Sequence, residues 1–252
     1  MALSESTSRL VQRLPRAGAP DPLGNRLLAA LSDDGWARLQ PLIEVVALER
    51  QQLTSRYRMP MYAVDFPIDA VMSVVATLAN GGTCEVATVG HEGFVEVDAA
   101  LASRIAHRSA SCQIPGYVAR MTIDAFRAEM DDDPEFKTLV MRAVRARVFM
   151  TEQLATCNLK HTVIERFARW LLMTRDRLSR SEFNVTHEFL AMMLGARRAG
   201  VSQAAATLQT AGCIAYRRGL IIILDDAALT GRACECYAAG REAIEMSFVG
   251  DA

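Results

Sequence analysis

Arginine, serine and glutamine side chains follow a glycine in segment 186–212, and such side chains can form hydrogen bonds with the edges of DNA bases. Arginine can donate two hydrogen bonds to guanine, and glutamine can pair in the same way with adenine. Small residues beside them would let the backbone approach the bases closely. The sequence therefore predicts DNA contacts in this segment by Arg197, Arg198, Gly200, Ser202 and Gln203.

A helix is needed to present these side chains together, and the sequence predicts two short helices joined by a turn at Gly195. The first is predicted over 187–194, with Thr186 as its N-cap, and the second over 198–210. Glycine adopts a positive φ readily, so it can end the first helix sharply. Apolar residues at helical spacing would form the buried face of the second helix: Val201, Ala204, Ala205 and Leu208. This layout is typical of a helix-turn-helix, whose second helix meets the bases with its N-terminal turn.

Two short strands around an Arg-Arg-Gly turn are predicted directly afterwards, over 214–224. Such a hairpin is a wing, and Arg217 and Arg218 at its tip would contact DNA phosphates. The local charge agrees, because segment 157–232 holds eleven basic and six acidic residues, a difference of +5, whereas the whole chain has a net charge of −1. A basic module on a nearly neutral chain favours binding to phosphates through one face.

Other functions fit parts of the same pattern. Two helices joined by a glycine turn also occur in helical bundles that bind no nucleic acid. The alternative is a small-molecule sensor or binding module whose helix-turn-helix makes only protein contacts. An enzyme is not predicted, because the sequence contains no evident catalytic residues: no nucleophile–base pair, phosphate-binding glycine loop or metal-ligand motif.

Cysteine and histidine spacing predicts no metal site and no cofactor. Of the six cysteines only Cys234 and Cys236 are close in sequence, whereas structural zinc sites usually combine two such pairs. The four histidines are scattered. We expect the thiols to be buried and inert, with a redox or metal-sensing role for Cys234 and Cys236 as the alternative. The scattered residues are Cys84, Cys112, Cys157, Cys213, His91, His107, His161 and His187.

Composition is that of a globular chain, with 51% hydrophobic and 23% charged residues, enough for two domains with full cores. No apolar run approaches the 18 or more residues of a membrane span, and the apolar stretch near the start is too short and broken for a signal peptide. The expectation is a cytoplasmic protein without a membrane partner.

The remainder of the chain divides into an N-terminal arm, a strand-rich domain and a long helix. Residues 1–24, which include Arg9, Arg13 and Arg16, are predicted to be a flexible arm. Two short helical pieces are predicted over 25–42, the second capped by Ser32. Between 43 and 121, β-branched segments alternate with turn residues, which predicts an antiparallel β-roll or jelly roll as a sensor domain over 25–130. Its strands are predicted over 45–48, 63–66, 71–78, 84–89, 109–114 and 117–121.

A long helix, with an aspartate run and Pro134 at its start, is predicted over about 135–159, and the connecting segment between the two domains is assigned to 131–157. It would span about 37 Å at 1.5 Å per residue. Its apolar stripe comprises Phe136, Val140, Val144 and Val148. This stripe favours a dimerisation helix, although it could serve only the core of one chain.

The DNA-binding domain is predicted over 158–232. A further amphipathic helix over 157–176 would be its first helix. After the wing, Asp225 and Asp226 would cap a final helix in the C-terminal segment 233–252. The resulting fold class is α+β, with a β-roll, a connecting helix and a winged helix-turn-helix in that order.

This order of domains resembles the Crp/Fnr family of bacterial transcription regulators. The resemblance rests on Phe66-Pro67 with its following valine-rich strand and on the phrases Glu85-Val-Ala-Thr-Val-Gly-His-Glu-Gly93, Arg169-Trp-Leu-Leu-Met173 and Glu188-Phe-Leu-Ala-Met-Met-Leu-Gly-Ala-Arg-Arg198. It implies a homodimer with one recognition helix per half-site of double-stranded DNA, and RNA polymerase is a further candidate partner. By position, Arg198, Gly200, Ser202 and Gln203 would face the bases and Arg197 a phosphate.

The effector is unknown. Cyclic-nucleotide binders of this family hold the ligand with Gly-Glu and Arg-Ser pairs. Arg108-Ser109 resembles the second pair, but the sequence Gly93-Phe-Val-Glu96 lacks the glycine before the glutamate, which argues against a cyclic nucleotide. The N-terminal cysteine cluster of the iron–sulfur members is missing, since the first cysteine is Cys84. The resulting prediction is a dimeric, sequence-specific regulator that binds a pseudo-palindromic operator.

Overall fold

The computed structural model describes residues 18–79 and 81–249, so most of the predicted arm 1–24, including its three arginines, lies outside the described residues. The fold class is the predicted α+β arrangement. The strands are β1 Ile43–Leu48, β2 Leu53–Ser55, β3 Ala63–Pro67, β4 Val71–Thr77, β5 Thr83–Val89, β6 Ser109–Ile114, β7 Gly116–Thr122, β8 Glu182–Asn184, β9 Ile214–Arg217 and β10 Leu220–Ile223. The helices are α1 Arg26–Ala29, α2 Asp33–Leu39, α3 Val97–Ala100, α4 Ile123–Asp132, α5 Pro134–Lys160, α6 Val163–Leu178, α7 His187–Met193, α8 Arg198–Thr210, α9 Asp226–Thr230 and α10 Cys236–Val249.

The N-terminal domain is the predicted antiparallel β-roll. Its two sheets have the strand orders β1-β7-β3 and β2-β6-β4-β5. Alternate strand residues point inward and bury a core that includes Met72, Val89 and Val118. The short β2 and α3 were not predicted. With only three residues and an irregular register against β6, β2 carries too little alternation to be recognised in the sequence.

Four phenylalanines attach the start of α5 to the roll. Phe66, Phe94, Phe126 and Phe136 are fully buried, and neighbouring ring centroids lie 5.5–6.3 Å apart. Asp133 caps α5, since its side chain accepts a hydrogen bond from the Glu135 amide at 2.9 Å. The first part of the long helix is therefore fixed to the roll.

The junction between α5 and α6 lies further along the chain than the sequence predicted. The helix expected to begin at residue 157 begins at Val163, and Cys157 belongs to α5, which ends at Lys160. The reason is a capping box: the Thr162 hydroxyl accepts a hydrogen bond from the Glu165 amide, while the Glu165 carboxylate accepts one from the Thr162 amide.

The C-terminal domain combines α6, α7 and α8 with a three-stranded sheet of order β8-β10-β9. The predicted wing strands are β9 and β10, and β8 is an additional edge strand that was not predicted. The core is formed by the apolar faces of the three helices and by wing residues such as Ile214 and Ile221.

The expected single C-terminal helix is two helices. Asp225 caps α9, because its side chain accepts a hydrogen bond from the Ala228 amide. This helix already ends at Thr230. The chain then turns, and α10 runs back along α5. Near its end, Glu245 pairs with Arg26 through two hydrogen bonds of 2.8 Å. No helix of the described residues is long and apolar enough to cross a membrane.

Candidate nucleic-acid interface

The helix-turn-helix begins where the sequence predicted, α7 ends at Met193, one residue before the predicted end, and α8 has the predicted bounds. Thr186 caps α7 through its hydroxyl, which accepts a hydrogen bond from the Phe189 amide at 3.2 Å. Gly195 has a φ of 55°, a backbone conformation that is unfavourable for residues with a side chain. This conformation lets the chain turn into α8. Arg166 on α6 donates to the Leu194 carbonyl at 2.8 Å and so holds the turn. The whole predicted inner stripe of α8 is buried: Val201, Ala204, Ala205 and Leu208.

The predicted base-contacting residues lie together on the first half of α8. Arg197 is the N-cap residue and makes no side-chain capping bond, so its guanidinium is not used to close the helix. Arg197, Arg198 and Gln203 are exposed, and Gly200 and Ser202 are half-buried. A methyl group at Gly200 would find only the Val163 Cγ2 atom, at 4.0 Å. The fold itself therefore does not require glycine at this position.

Ser202 has an internal partner that the sequence did not reveal. Its hydroxyl lies 3.1 Å from His187 Nδ1, and the His187 ring packs edge-on against Tyr216 with centroids 4.7 Å apart. His187 Nε2 is buried and has no hydrogen-bond partner. Burial, with a smaller contribution from Arg198, lowers the pKa of His187, so the ring is neutral near pH 7. Ser202 therefore lies in a contact network between α7, α8 and the wing.

The wing is a tight hairpin. Arg218 and Gly219 form its two-residue loop with φ of 51° and 84°, the combination that defines a type I′ turn. Tyr216 attaches the wing to the domain, since its hydroxyl donates to the Val185 carbonyl at 2.8 Å and its amide to Gln209 Oε1 at 2.9 Å. Arg217 and Arg218 are exposed, as predicted. A shallow groove runs from Arg198 on α8 to Arg218 at the wing tip.

Fewer basic side chains of the C-terminal domain are exposed than the count of eleven basic residues in segment 157–232 suggested. Arg166, Arg169 and Arg177 are buried, and Arg175 pairs with Asp176 and Asp226 at 2.6 Å each. Arg198 and Arg218 line the groove, and the neighbouring Arg197 and Arg217 are exposed as well. These are the four arginines that the sequence singled out.

The C-terminal domain is attached to the roll through Arg177 near the end of α6. Its Nε donates to Glu92 at 2.7 Å, and its other nitrogens donate to the Thr88 and Met173 carbonyls at 3.3 and 3.0 Å. Both members of the ion pair are nearly buried. A Cβ atom at Gly90 would lie 2.6 Å from Arg177 Cγ, so glycine is needed for this close approach.

A cavity between the roll and α5 includes the positions compared with a nucleotide site. Glu96, Arg108 and Arg147 contribute to its wall. Burial, together with the Asp65 carboxylate, raises the pKa of Glu96 to about 8. Val95 directly precedes Glu96, where the resemblance to nucleotide binders would imply a glycine. It is buried, and its amide donates to the Asp65 carbonyl at 2.8 Å, so this amide is already used within the roll.

Comparison with known proteins supports the same assignment. Residues 165–232 match the family profile of the Crp-like helix-turn-helix domain. A regulator of the Crp/Fnr family from Eubacterium rectale has a TM-score of 0.60 at 15% identity and covers 84% of this chain and 97% of its own. FixK2 from Bradyrhizobium japonicum has a TM-score of 0.64 at 15% identity, with 76% and 98% covered.

A regulator of the CRP family from Thermus thermophilus has a TM-score of 0.63 at 20% identity and covers 75% of this chain and 96% of its own. A search of curated protein sequences finds no match. The sequence resemblance is confirmed by the match of the domain and by the shared fold. Residues 165–232 are thus a Crp-like helix-turn-helix domain, and the chain as a whole shares the fold of solved regulators of the Crp/Fnr family.

Proposed function

We propose that the protein is a homodimeric, sequence-specific regulator that binds a pseudo-palindromic operator on double-stranded DNA. The observation that carries this proposal is the exposed first half of α8, where Arg198 and Gln203 lie beside Gly200 and the wing arginines flank them. Arginine and glutamine read guanine and adenine edges, and exposed arginines at the helix start and at the wing tip neutralise phosphates.

The dimer is supported by the outer face of α5. The stripe predicted to form one surface is divided: Phe136, Val140 and Val144 are buried against the roll, whereas Val148 is 51% exposed. Val148 belongs instead to an outer row with Met141 and Leu159, which are 42% and 82% exposed. These residues are seven and eleven positions apart, so they lie along one side of the helix. A second copy of α5 would cover the row and place two recognition helices about one turn of DNA, roughly 34–36 Å, apart.

Control by an effector at the roll is part of the proposal. The cavity is lined by Arg108 and Arg147 together with Glu96 and Asp98, which fits a polar ligand, while the buried Val95 argues against the backbone contact that a cyclic phosphate uses. A saturable rise in melting temperature with a cyclic nucleotide would contradict this last inference. RNA polymerase stays a candidate partner of the DNA-bound dimer.

The test is selection of bound fragments from genomic DNA, followed by titration of the common sequence. Arg198→Ala is expected to remove the preference at one base position of each half-site, at a cost of about 1–3 kcal/mol. Arg217→Ala is expected to weaken binding to all sequences and to reduce the slope of log K against log salt by about 1.

If the Arg198→Ala variant binds DNA with the affinity and specificity of the wild type, α8 is not the recognition helix. Absence of any salt-dependent DNA binding, combined with ligand-induced thermal stabilisation, would favour the alternative of a sensor whose helix-turn-helix contacts only proteins.

A further inference from the structure

Three cysteines and a histidine converge where α5 ends and α10 begins. Cys157 lies in the last turn of α5, His161 is the C-cap residue of that helix, and Cys234 and Cys236 lie just before and at the start of α10. The sulfur atoms of these cysteines and a ring nitrogen of the histidine all lie within 4.8 Å of one another. Among the cysteines only Cys234 and Cys236 are close in sequence, and Cys157 and His161 join them because α10 folds back along α5.

We propose that this cluster is a structural zinc site with three thiolate ligands and one imidazole ligand. Tetrahedral zinc with bonds of about 2.3 Å to sulfur requires ligand atoms about 3.8 Å apart. The Cys157 and Cys234 sulfurs are 3.5 Å apart, and Cys236 Sγ is 3.6 Å from His161 Nδ1. Only small shifts are needed for four ligands to surround one ion.

The donor set selects the metal. Thiolate with imidazole in a closed four-ligand shell is the arrangement that binds Zn²⁺, whereas calcium and magnesium require oxygen ligands. Each of the three cysteines is no more than 5% exposed. A site closed by four protein ligands leaves no position for a substrate, so the role is structural.

Neighbouring side chains already orient two of the ligands. His161 Nε2 lies 3.2 Å from the Glu235 carboxylate, which leaves Nδ1 directed towards the sulfurs. A carboxylate on the far nitrogen of a ligating histidine is a common arrangement in zinc proteins. Gln153 on α5 donates a hydrogen bond to Cys236 Sγ at 3.0 Å. A disulfide between Cys157 and Cys234 would use neither the imidazole nor these contacts.

The decisive measurement is the metal content of the full-length protein, purified without an affinity tag and in the presence of a reductant. We expect one zinc per chain. Replacement by Co²⁺ is expected to give the visible absorption of a tetrahedral cobalt site and a charge-transfer band with the intensity of three thiolates. This measurement needs no variant, so a folding defect cannot obscure it.

Variants then assign the ligands. Cys236→Ser and His161→Ala are expected to lose the metal, whereas Cys84→Ser, at a half-buried cysteine on β5, is expected to retain one zinc per chain. Glu235→Gln is expected to weaken zinc binding by about 10–100-fold. The matched change Glu242→Gln, at an exposed position of α10, is expected to leave it unchanged.

Three results would overturn the proposal. The first is a wild-type protein that takes up no zinc or cobalt even on titration. The second is full metal content in the double variant Cys234→Ser/Cys236→Ser. The third is a stoichiometric Cys157–Cys234 disulfide in the native protein, identified by mass spectrometry.

Discussion

Gly200 lies between Arg198 and Ser202 in the first turn of α8, and it distinguishes the requirements of the fold from those of DNA binding. Glycine in a helix destabilises it by roughly 0.5–1 kcal/mol relative to alanine. Because a methyl group here would meet only Val163 at 4.0 Å, we expect Gly200→Ala to raise the free energy of unfolding by about that amount. If α8 lies against base edges, the same methyl group should weaken operator binding.

Chemical denaturation and operator titration of the same preparation check both outcomes. Gly93→Ala, in the roll, is a control away from the interface, where a Cβ atom would lie 3.6 Å from Val89. A Gly200→Ala variant that is more stable and binds its operator as tightly as the wild type would show that the backbone does not approach the DNA closely here.

Glu85 on β5 makes the stability depend on pH. The residue is buried, and desolvation raises the pKa of its carboxyl to about 7, although the hydrogen bond from Ser73 at 2.7 Å and the charge of Arg177 act in the opposite direction. A folded-state pKa above the unfolded value means that the folded chain holds a proton that the unfolded chain has released. This carboxyl therefore costs stability as pH rises from about 4.5 to 7.

Glutamine mimics the protonated form, so Glu85→Gln is expected to match the wild type near pH 4.5 and to become more stable than the wild type as pH rises to 7. The difference should grow by at most about 1.4 kcal/mol per pH unit. Urea unfolding at several pH values measures it, with Glu182→Gln at an exposed position as the control. A difference that does not vary with pH would contradict the assignment.

Individual elements were predictable where their residues carry local signals. Thr186, Gly195 and the buried stripe of α8 mark the helix-turn-helix so clearly that the boundaries of α8 agree with the structure. The break between α5 and α6 was placed too early, because the segment around it contains neither glycine nor proline. Thr162 and Glu165, spaced as a capping box, were the available signal.

The two faces of α5 could not be separated from the sequence, because both are partly apolar and only the roll decides which is covered. We expect Val148→Glu to weaken the proposed dimer by about 3 kcal/mol or more, a factor of about 100 or more, because an unpaired carboxylate would be buried at the seam. Analytical ultracentrifugation gives the dissociation constant.

Leu101→Glu is the matched control, since Leu101 is 57% exposed on the roll and lies outside α5. Unchanged self-association in Val148→Glu would exclude this face of α5 as the dimer interface. Self-association lost equally in both variants would point to a general effect of added charge.

At the scale of the whole molecule, the two domains are joined by contacts that no local pattern predicts. The Glu92–Arg177 pair connects residues far apart in sequence, and the four ligands of the proposed zinc site come from two segments, the end of α5 and the start of α10. Spacing identifies residues that share one helix or one hairpin. It does not identify residues that meet only because α10 returns along α5.

Burial is the largest single influence and raises the pKa of Glu92, but the charge and hydrogen bond of Arg177, a backbone hydrogen bond and the charge of His91 together outweigh it, so the pKa is lowered. The pair therefore stabilises the fold at pH values above the usual pKa of a glutamate. This stabilisation is lost as the pH falls through the lowered pKa of Glu92. We expect Glu92→Gln to reduce the free energy of unfolding by about 3–5 kcal/mol, because it leaves the Arg177 guanidinium buried without its counter-ion.

Replacing both partners tests this reasoning. Glu92→Gln combined with Arg177→Met removes the uncompensated charge, so thermal or urea unfolding should show a smaller loss than in Glu92→Gln alone. A double variant that loses the sum of both single changes would mean that the two side chains are not coupled.

The return of α10 also affects how the DNA-binding domain can move. The chain enters this domain after His161 and leaves it at Cys234, and these two points lie side by side. Together with the Glu92–Arg177 pair, these two adjacent chain crossings fix the domain against the roll. A rearrangement that opens the Glu92–Arg177 contact would leave the crossings as the remaining attachment, so the recognition helices would then rotate about this junction.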